Sequence, residues 1–169
     1  STEKKVKLVV VGDGPYREQL ETITREYKVA DMVEFVGQKN KKEIVPFYQN
    51  ADLFILPSAK EGMPNVVLEA MACGLPIIMT PCEGSKELVQ DNGYILLTSE
   101  MGEKIRQLLR NKEMLQKLGH NSRRIVEEQF CWGHVVENYL TLMSKYNKKA
   151  KSINMDGKIW IRYCSLRSQ

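Results

Sequence analysis

The sequence predicts an α/β fold, a Rossmann-like parallel sheet sandwiched by helices and followed by C-terminal helices. The first observation is an alternation of short apolar runs with amphipathic segments between Val6 and about Leu97. The second is that only helical patterns follow Thr98. A length of 169 residues, with 43% hydrophobic and 27% charged residues, is also the balance of one globular domain with a sizeable core.

The individual elements follow from these patterns. Apolar runs with little alternation, typical of strands covered on both faces, predict strands at Lys5–Val11, Met32–Val36, Leu53–Leu56, Pro76–Met79 and Tyr94–Leu97. The connecting helices are predicted at Tyr16–Tyr27, Lys42–Tyr48, Asn65–Cys73 and Ser85–Val89. The helices of the last part are predicted at Glu100–Arg110, Lys112–Glu128 and His134–Lys145, packed on the sheet or on a neighbouring domain.

The chain is expected to divide into a domain of residues 1–146 and a basic tail of residues 147–169. The alternating segment Ile159–Tyr163 fits either a late strand or part of an appended tail. Residues 1–100 contain 11 Lys and Arg against 15 Asp and Glu, whereas residues 101–169 contain 14 against 6. This basic excess fits a solvated helix face with a tail, or a surface that approaches anionic lipid, supported by Lys145, Lys148, Lys149 and Lys151.

Several classes of protein are disfavoured by what the sequence lacks. The basic region has no interleaved aromatic motif, so nucleic acid is not an expected partner. The apolar runs are too short to span a bilayer and the first residues do not resemble a secretory signal, so we expect a cytoplasmic protein, with peripheral contact at the inner face of the membrane as an option. The four cysteines are widely spaced, so we expect reduced thiols, with neither a disulfide framework nor a metal site.

A glycine-rich turn follows the first predicted strand. Gly12 and Gly14, followed by Pro15, leave free backbone N–H groups where a helix begins. A dinucleotide-binding fingerprint fails here, because Arg17 stands where the third glycine would be and no acidic residue ends the second strand. No P-loop motif is present either. A structural turn and a ligand contact therefore fit equally well.

The most informative stretch runs from Leu56 to Gly74. A buried strand ends at Pro57, a loop containing Glu61 follows, and a helix begins at Pro64 and Asn65 and carries Glu69. Open α/β sheets bind ligands at the carboxyl ends of their strands. Backbone N–H groups of residues 62–66 can bind a diphosphate, and carboxylates accept hydrogen bonds from sugar hydroxyls, so the combination suits a nucleotide-sugar. The spacing is explained equally well if Glu61 is an ordinary surface residue and Glu69 makes an ordinary charge–dipole contact with the helix start.

The run Glu61-Gly-Met-Pro-Asn-Val-Val-Leu-Glu69 closely resembles the E-x7-E signature of glycosyltransferase family 4, group 1, which comprises retaining enzymes of GT-B architecture. The resemblance extends over about residues 5–146. It includes the motifs Val9-Val-Val-Gly-Asp-Gly-Pro15, Val33-Glu-Phe-Val-Gly37, Ala51-Asp-Leu-Phe-Ile-Leu-Pro-Ser58, Glu83-Gly-Ser-Lys-Glu-Leu88 and Phe130-Cys-Trp132 with Tyr139. It implies the C-terminal, donor-binding half of the fold.

The resemblance also implies roles for individual residues. Glu61 would contact the donor sugar and be catalytically important, and Glu69 would accept hydrogen bonds from the ribose. The donor would further contact the turn and backbone residues Gly12, Gly14, Val36, Gly37, Gln38, Lys39, Gly62, Met63, Pro64, Asn65 and Val66, of which residues 36–39 would lie near the base. The transfer would need no metal or other cofactor, and the donor would be a nucleotide-diphosphate sugar.

The chain departs from the family pattern in two places. The family's Arg and Lys that neutralise the diphosphate lie upstream of the glycine turn, and Lys4, Lys5 and Lys7 do not match that motif. The acceptor-binding N-terminal domain is also missing, so we expect this chain to be inactive alone. A GT-B nucleotide-sugar epimerase and a non-catalytic nucleotide-binding domain remain alternatives.

Overall fold

A computed structural model describes residues 6–58 and 61–150, with side chains described up to Tyr146. The five strands are β1 (Leu8–Val11), β2 (Val33–Gly37), β3 (Phe54–Leu56), β4 (Ile77–Met79) and β5 (Gly93–Ile95). The helices are α1 (Arg17–Glu26), α2 (Val45–Gln49), α3 (Asn65–Ala72), α4 (Ser85–Leu88), α5 (Thr98–Leu109), α6 (Lys112–Ile125) and α7 (Trp132–Ala150). The α/β fold with parallel strands is confirmed, and the predicted order of elements agrees with this structure.

The bounds differ from the predicted ones by a few residues. The helix predicted at Lys42–Tyr48 begins only at Val45, and the strand predicted at Tyr94–Leu97 is Gly93–Ile95. A short π-helical turn, Val126–Phe130, ends the helix predicted at Lys112–Glu128. The helix predicted at His134–Lys145 extends from Trp132 to Ala150, across the expected start of the tail. The predicted segment Ile159–Tyr163 lies outside the described residues.

The strands form two separate parallel ladders. One joins β1 to β2, with Leu8 opposite Val33, and the other has the order β3-β4-β5, with Ile78 between Ile55 and Tyr94. The chain divides between Arg124 and Ile125 into two compact units, and both ladders belong to the first unit. The sequence pattern predicts parallel pairing, but it does not predict which strands are neighbours.

The core lies around β4. All three residues of this strand are fully buried, as the unbroken apolar run predicts. Ile78 packs with Met101 and Leu108 of α5 and Leu118 of α6, so these two helices pack on the sheet as expected. The expectation of cover on both faces is wrong for β1, where Leu8 is 48% exposed. Residues of the same apolar character thus differ in burial because burial depends on what packs against them.

Two buried polar side chains also tie the sheet end to α6. The amide of Asn92 donates hydrogen bonds to the Leu88 carbonyl (3.1 Å) and to the Ser122 hydroxyl (3.2 Å), and Ser122 donates to the Leu75 carbonyl (2.6 Å). Both side chains are fully buried. Such groups are costly to bury without partners, so this network fixes one arrangement of α6 against the β4–β5 region.

Candidate functional site

The carboxyl ends of β1 and β2 meet at two glycines. Val11 pairs with Gly37, and the Gly12 N–H donates to the Gly37 carbonyl at 2.9 Å. Gly12 has φ +125° and Gly37 has φ +70°, values that side-chain-bearing residues rarely adopt. The structure therefore brings the glycine turn, with Gly12 and Gly14, beside the sequence-predicted segment of residues 36–39.

Arg17 supports this pair of turns from the first residue of α1. Its guanidinium donates to Glu21 at 3.0 Å and to the Phe35 carbonyl at 3.4 Å, and it lies over the Phe35 ring. Sequence reasoning treats Arg17 only as a mismatch to a dinucleotide fingerprint. Its half-buried position under Gly37 is set by the pairing of β1 with β2, which the local sequence does not encode.

Glu61 lies in the loop between β3 and α3. It is exposed, and one carboxylate oxygen accepts a hydrogen bond from the Ser58 hydroxyl at 3.1 Å. Burial raises the pKa of the Cys82 thiol, which follows β4, and the nearby negative charge of Glu61 raises it further. Gly84, in the same segment, approaches the carbonyl of Gly62. The loop that carries Glu61 follows β3 and is contacted by the segment that follows β4.

Helix α3 begins immediately after this loop. Pro64 precedes its first turn in an extended conformation and is buried, and Val67, Ala70 and Met71 pack inwards. The predicted contact residues Met63, Asn65 and Val66 stay exposed at the start of the helix. The Val67 N–H donates to the Pro64 carbonyl at 3.0 Å. The N–H groups of the first two helical residues have no acceptor within a helix, so this end of α3 suits a negatively charged group.

Glu69 projects from the second turn of α3 and is half-buried. Its carboxylate accepts a hydrogen bond from the Tyr48 hydroxyl of α2 at 3.1 Å. Glu61 and Glu69 therefore have different partners, Ser58 and Tyr48. The sequence identifies both carboxylates but not these partners.

Short helix α2 contacts both groups of predicted residues. The Lys39 ammonium lies 5.9 Å from the centre of the Phe47 ring, at the end of the β2 segment. The adjacent residue, Tyr48, bonds to Glu69 and packs edge-on against Phe54 of β3, with ring centres 5.9 Å apart. Through these contacts α2 links the β1–β2 turns to α3.

A cleft of about 310 Å³ opens at the carboxyl ends of β3, β4 and β5. Its lining residues are Pro57, Ser58, Thr80, Pro81, Leu97 and Thr98. Thr80 donates to the carbonyl of Ser58, and Ser58 in turn donates to Glu61, so the cleft wall and the Glu61 loop are connected. Sequence reasoning misses Thr80 and Thr98, although a hydroxyl residue directly after a strand is a usable signal.

Metal-ligating clusters and membrane-spanning helices are both absent from the described part of the chain. Among residues 6–58 and 61–146, no three His, Cys, Asp or Glu side chains are grouped so that they could hold a metal ion. No helix in the described ranges has the length and apolar character needed to cross a membrane.

Comparison with known proteins gives consistent matches. The family model "Glycosyl transferases group 1" matches residues 1–125. N-acetyl-alpha-D-glucosaminyl L-malate synthase of Bacillus anthracis is 36% identical over 147 residues, which cover 83% of this chain and 38% of that protein. Anabaena HepE in complex with UDP-glucose superposes with a TM-score of 0.71 at 23% identity, covering 83% of this chain and 41% of HepE.

A third match is an isolated domain. The C-terminal domain of a glycosyl transferase group 1 family protein from Francisella tularensis gives a TM-score of 0.68 at 24% identity, over 75% of this chain and 70% of that structure.

The α/β fold with parallel strands is that of GT-B glycosyltransferases. The chain belongs to the group 1 glycosyltransferase family. It spans about two fifths of the length of the Bacillus anthracis relative, 38%.

Proposed function

We propose that this chain forms the nucleotide-sugar donor-binding part of a retaining glycosyltransferase that transfers a sugar to a glycan or glycolipid acceptor. The observation that carries the proposal is the arrangement around α3, where Glu61 precedes the helix start, Glu69 follows it, and the carboxyl ends of the strands lie alongside. Anabaena HepE, which has the same fold, forms a crystalline complex with UDP-glucose, and this supports a nucleotide-sugar donor.

In this proposal each part of the site takes one part of the donor. The end of the loop before α3 and the first two residues of the helix, residues 62–66, bind the diphosphate through N–H groups, except at Pro64, which has none. Glu69 accepts hydrogen bonds from the ribose, and Glu61 contacts the sugar and is the catalytically important carboxylate. The base lies against Val36, Gly37, Gln38 and Lys39, beside the Gly12–Gly14 turn.

The acceptor side of the enzyme is proposed to come from another domain of a longer protein. The relative in Bacillus anthracis is matched over only 38% of its length, which supports this division. We expect the 169-residue chain to bind a donor but not to complete transfer alone. Robust transfer by the purified chain would contradict this part of the proposal, and conversion of a UDP-sugar into its epimer without an acceptor would favour an epimerase.

Isothermal titration calorimetry with UDP, GDP and ADP tests the donor site. We expect one of the three to bind most tightly, because the diphosphate and ribose contacts are shared and the base contacts differ. The matched control is the same titration with the corresponding nucleoside, which lacks the diphosphate and should bind at least tenfold more weakly. Failure of all three nucleotides to bind would contradict a donor site in this chain.

The proposed location is the cytoplasm, with peripheral contact at the inner face of the membrane as an option. The support is the basic excess of residues 101–169, which continues through α7 to Lys145 and to the lysines that follow it in the sequence. Co-sedimentation with vesicles that contain anionic lipid, compared with purely zwitterionic vesicles, tests it. Equal sedimentation with both would contradict the electrostatic contact.

A further inference from the structure

Tyr48 and Glu69 form a contact that the proposed roles do not include. Tyr48 lies on α2, is 6% exposed, and donates its hydroxyl hydrogen to Glu69 Oε2 at 3.1 Å across 21 residues of sequence. Its ring is held edge-on against Phe54 of β3 at an interplanar angle of 64°. The hydroxyl is therefore presented from a fixed, buried ring.

The state of the phenol follows from its surroundings. Burial, and then the adjacent carboxylate of Glu69, raise the pKa of Tyr48 well above its ordinary value. The group accordingly keeps its proton at neutral pH, as an unperturbed tyrosine does. It is a donor, and the carboxylate of Glu69 is its acceptor.

The contact restricts the orientation of the Glu69 carboxylate but uses only part of its hydrogen-bonding capacity. A carboxylate offers two oxygens and about four acceptor positions, and Tyr48 occupies one of them on Oε2. The side chain is half-buried, and within the described residues no hydrogen bond is made to its other oxygen, so acceptor positions remain for a ligand. A glutamate side chain otherwise loses rotamer freedom when it binds a ligand, and a hydrogen bond already formed reduces that loss.

We propose that Tyr48 is a positioning residue for ribose recognition, because its hydroxyl fixes the Glu69 carboxylate in the orientation that accepts hydrogen bonds from the ribose hydroxyls. This inference rests on the proposed function, in which Glu69 binds the ribose. Tyr48 itself does not touch the donor. It sets the geometry of a residue that does.

The substitution Tyr48→Phe tests the inference, since it removes the hydroxyl and keeps the ring that packs on Phe54. Affinities are measured by calorimetry for whichever of UDP, GDP and ADP binds most tightly to the wild-type chain, and for its 2′,3′-dideoxy analogue. We expect threefold to tenfold weaker binding of the ribonucleotide and no change for the dideoxy analogue. Tyr27→Phe, at an exposed tyrosine after α1, is the matched control and should change neither affinity.

Two further variants separate the inference from the function on which it rests. Glu69→Ala should abolish the preference for the ribonucleotide over the dideoxy analogue, and adding Tyr48→Phe to Glu69→Ala should then have no further effect. If Glu69→Ala leaves the preference intact, the ribose role of Glu69 is wrong, and the inference falls with it. If Glu69→Ala abolishes the preference but Tyr48→Phe alone does not reduce it, only the inference is wrong.

A purely structural role of the Tyr48 hydroxyl has its own signature. It would weaken the ribonucleotide and the dideoxy analogue equally, in step with a lower melting temperature, and this result would overturn the inference. Absence of any nucleotide binding by the wild-type chain would contradict both the proposed function and the inference.

Discussion

Gly84 lies against the loop that carries Glu61. A β-carbon added at Gly84 would come 3.3 Å from the carbonyl oxygen of Gly62 and 3.5 Å from the α-carbon of Met63. Gly84 also has φ +76°, in the left-handed region. The absence of a side chain at residue 84 lets the segment after β4 approach the Glu61 loop this closely without displacing it.

Replacement of this glycine should therefore affect stability and the site together. Gly84→Ala should destabilise the fold by about 1–2 kcal/mol, because alanine is strained at positive φ and the Gly62 carbonyl must move. Thermal unfolding and nucleotide-sugar calorimetry measure the two effects.

Gly102 provides the matched control. It lies in α5, and a β-carbon there meets nothing within 4 Å, so Gly102→Ala should stabilise the helix by up to about 1 kcal/mol. Equal effects of the two substitutions would contradict the close approach at Gly84.

Glu61→Ala should separate sugar binding from nucleotide binding. We expect nearly unchanged affinity for the free nucleoside diphosphate and about 1.5–3 kcal/mol weaker binding of the corresponding nucleotide-sugar, the usual magnitude for a hydrogen bond to a charged group. Calorimetry with both ligands measures this. Glu113→Ala, at an exposed position in the first turn of α6, is the control. A parallel loss for both ligands would show that Glu61 does not act on the sugar.

The pKa of the Cys82 thiol depends on the nearby charge of Glu61. Its pKa is raised by burial and then by the Glu61 carboxylate, because a nearby negative charge disfavours the thiolate. Glu61→Gln removes that charge, so the pKa should fall and the thiolate fraction at about pH 8 should rise. Iodoacetamide reacts with the thiolate, and mass spectrometry should show faster labelling of Cys82, with its pH midpoint shifted downwards. Cys131, which is exposed, should label at an unchanged rate.

Asn92 should be among the most sensitive polar positions of the core. Asn92→Ala removes bonds to Leu88 and Ser122 and the acceptor of the Gln90 N–H, and the groups left behind are costly to bury. A loss of roughly 2–4 kcal/mol is expected in chemical denaturation. Asn121→Ala breaks a single exposed bond to the Asp91 carbonyl and should cost about 1 kcal/mol or less.

The exposed apolar side chains of α7 lead us to expect that the 169-residue chain self-associates. Trp132, Val136, Tyr139 and Met143 recur at helical spacing and are between 42% and 73% exposed. Analytical ultracentrifugation should show a concentration-dependent rise in sedimentation coefficient, reduced by Tyr139→Glu. Thr141→Glu, on the other side of the helix, should leave the association intact. A wild-type chain that stays monomeric at all concentrations would contradict this prediction.

Local patterns predict the elements well but not their tertiary contacts. The start of α3 after Pro64 is encoded within a few neighbouring residues, and so is the burial of the apolar run Ile77–Met79. The bond from Tyr48 to Glu69 spans 21 residues and depends on how a five-residue helix packs against β3. Nothing in either local sequence specifies that packing.

The candidate site shows the same division. Glu61 and Glu69 stand out because carboxylates beside a helix start at a strand end have an identifiable chemistry. Ser58 and Thr80 do not, since a serine or a threonine after a strand is ordinary until its hydrogen bonds are known. The exposure of Leu8 is equally hidden, because an apolar strand gives no sign of what will cover it.

Because the strands form two separate ladders, local opening of the sheets need not be a single cooperative event. The predicted base contacts, residues 36–39, lie at the end of β2, whereas Glu61 follows β3 and Glu69 lies on α3. The base and the sugar of a bound nucleotide-sugar would therefore rest on different ladders. Ladders that share no strand hydrogen bonds can open independently, each with its own rate of amide exchange. A ligand held by both ladders would have to dissociate before either ladder opens. In the donor complex, the amide groups of the two ladders would therefore exchange at one common rate.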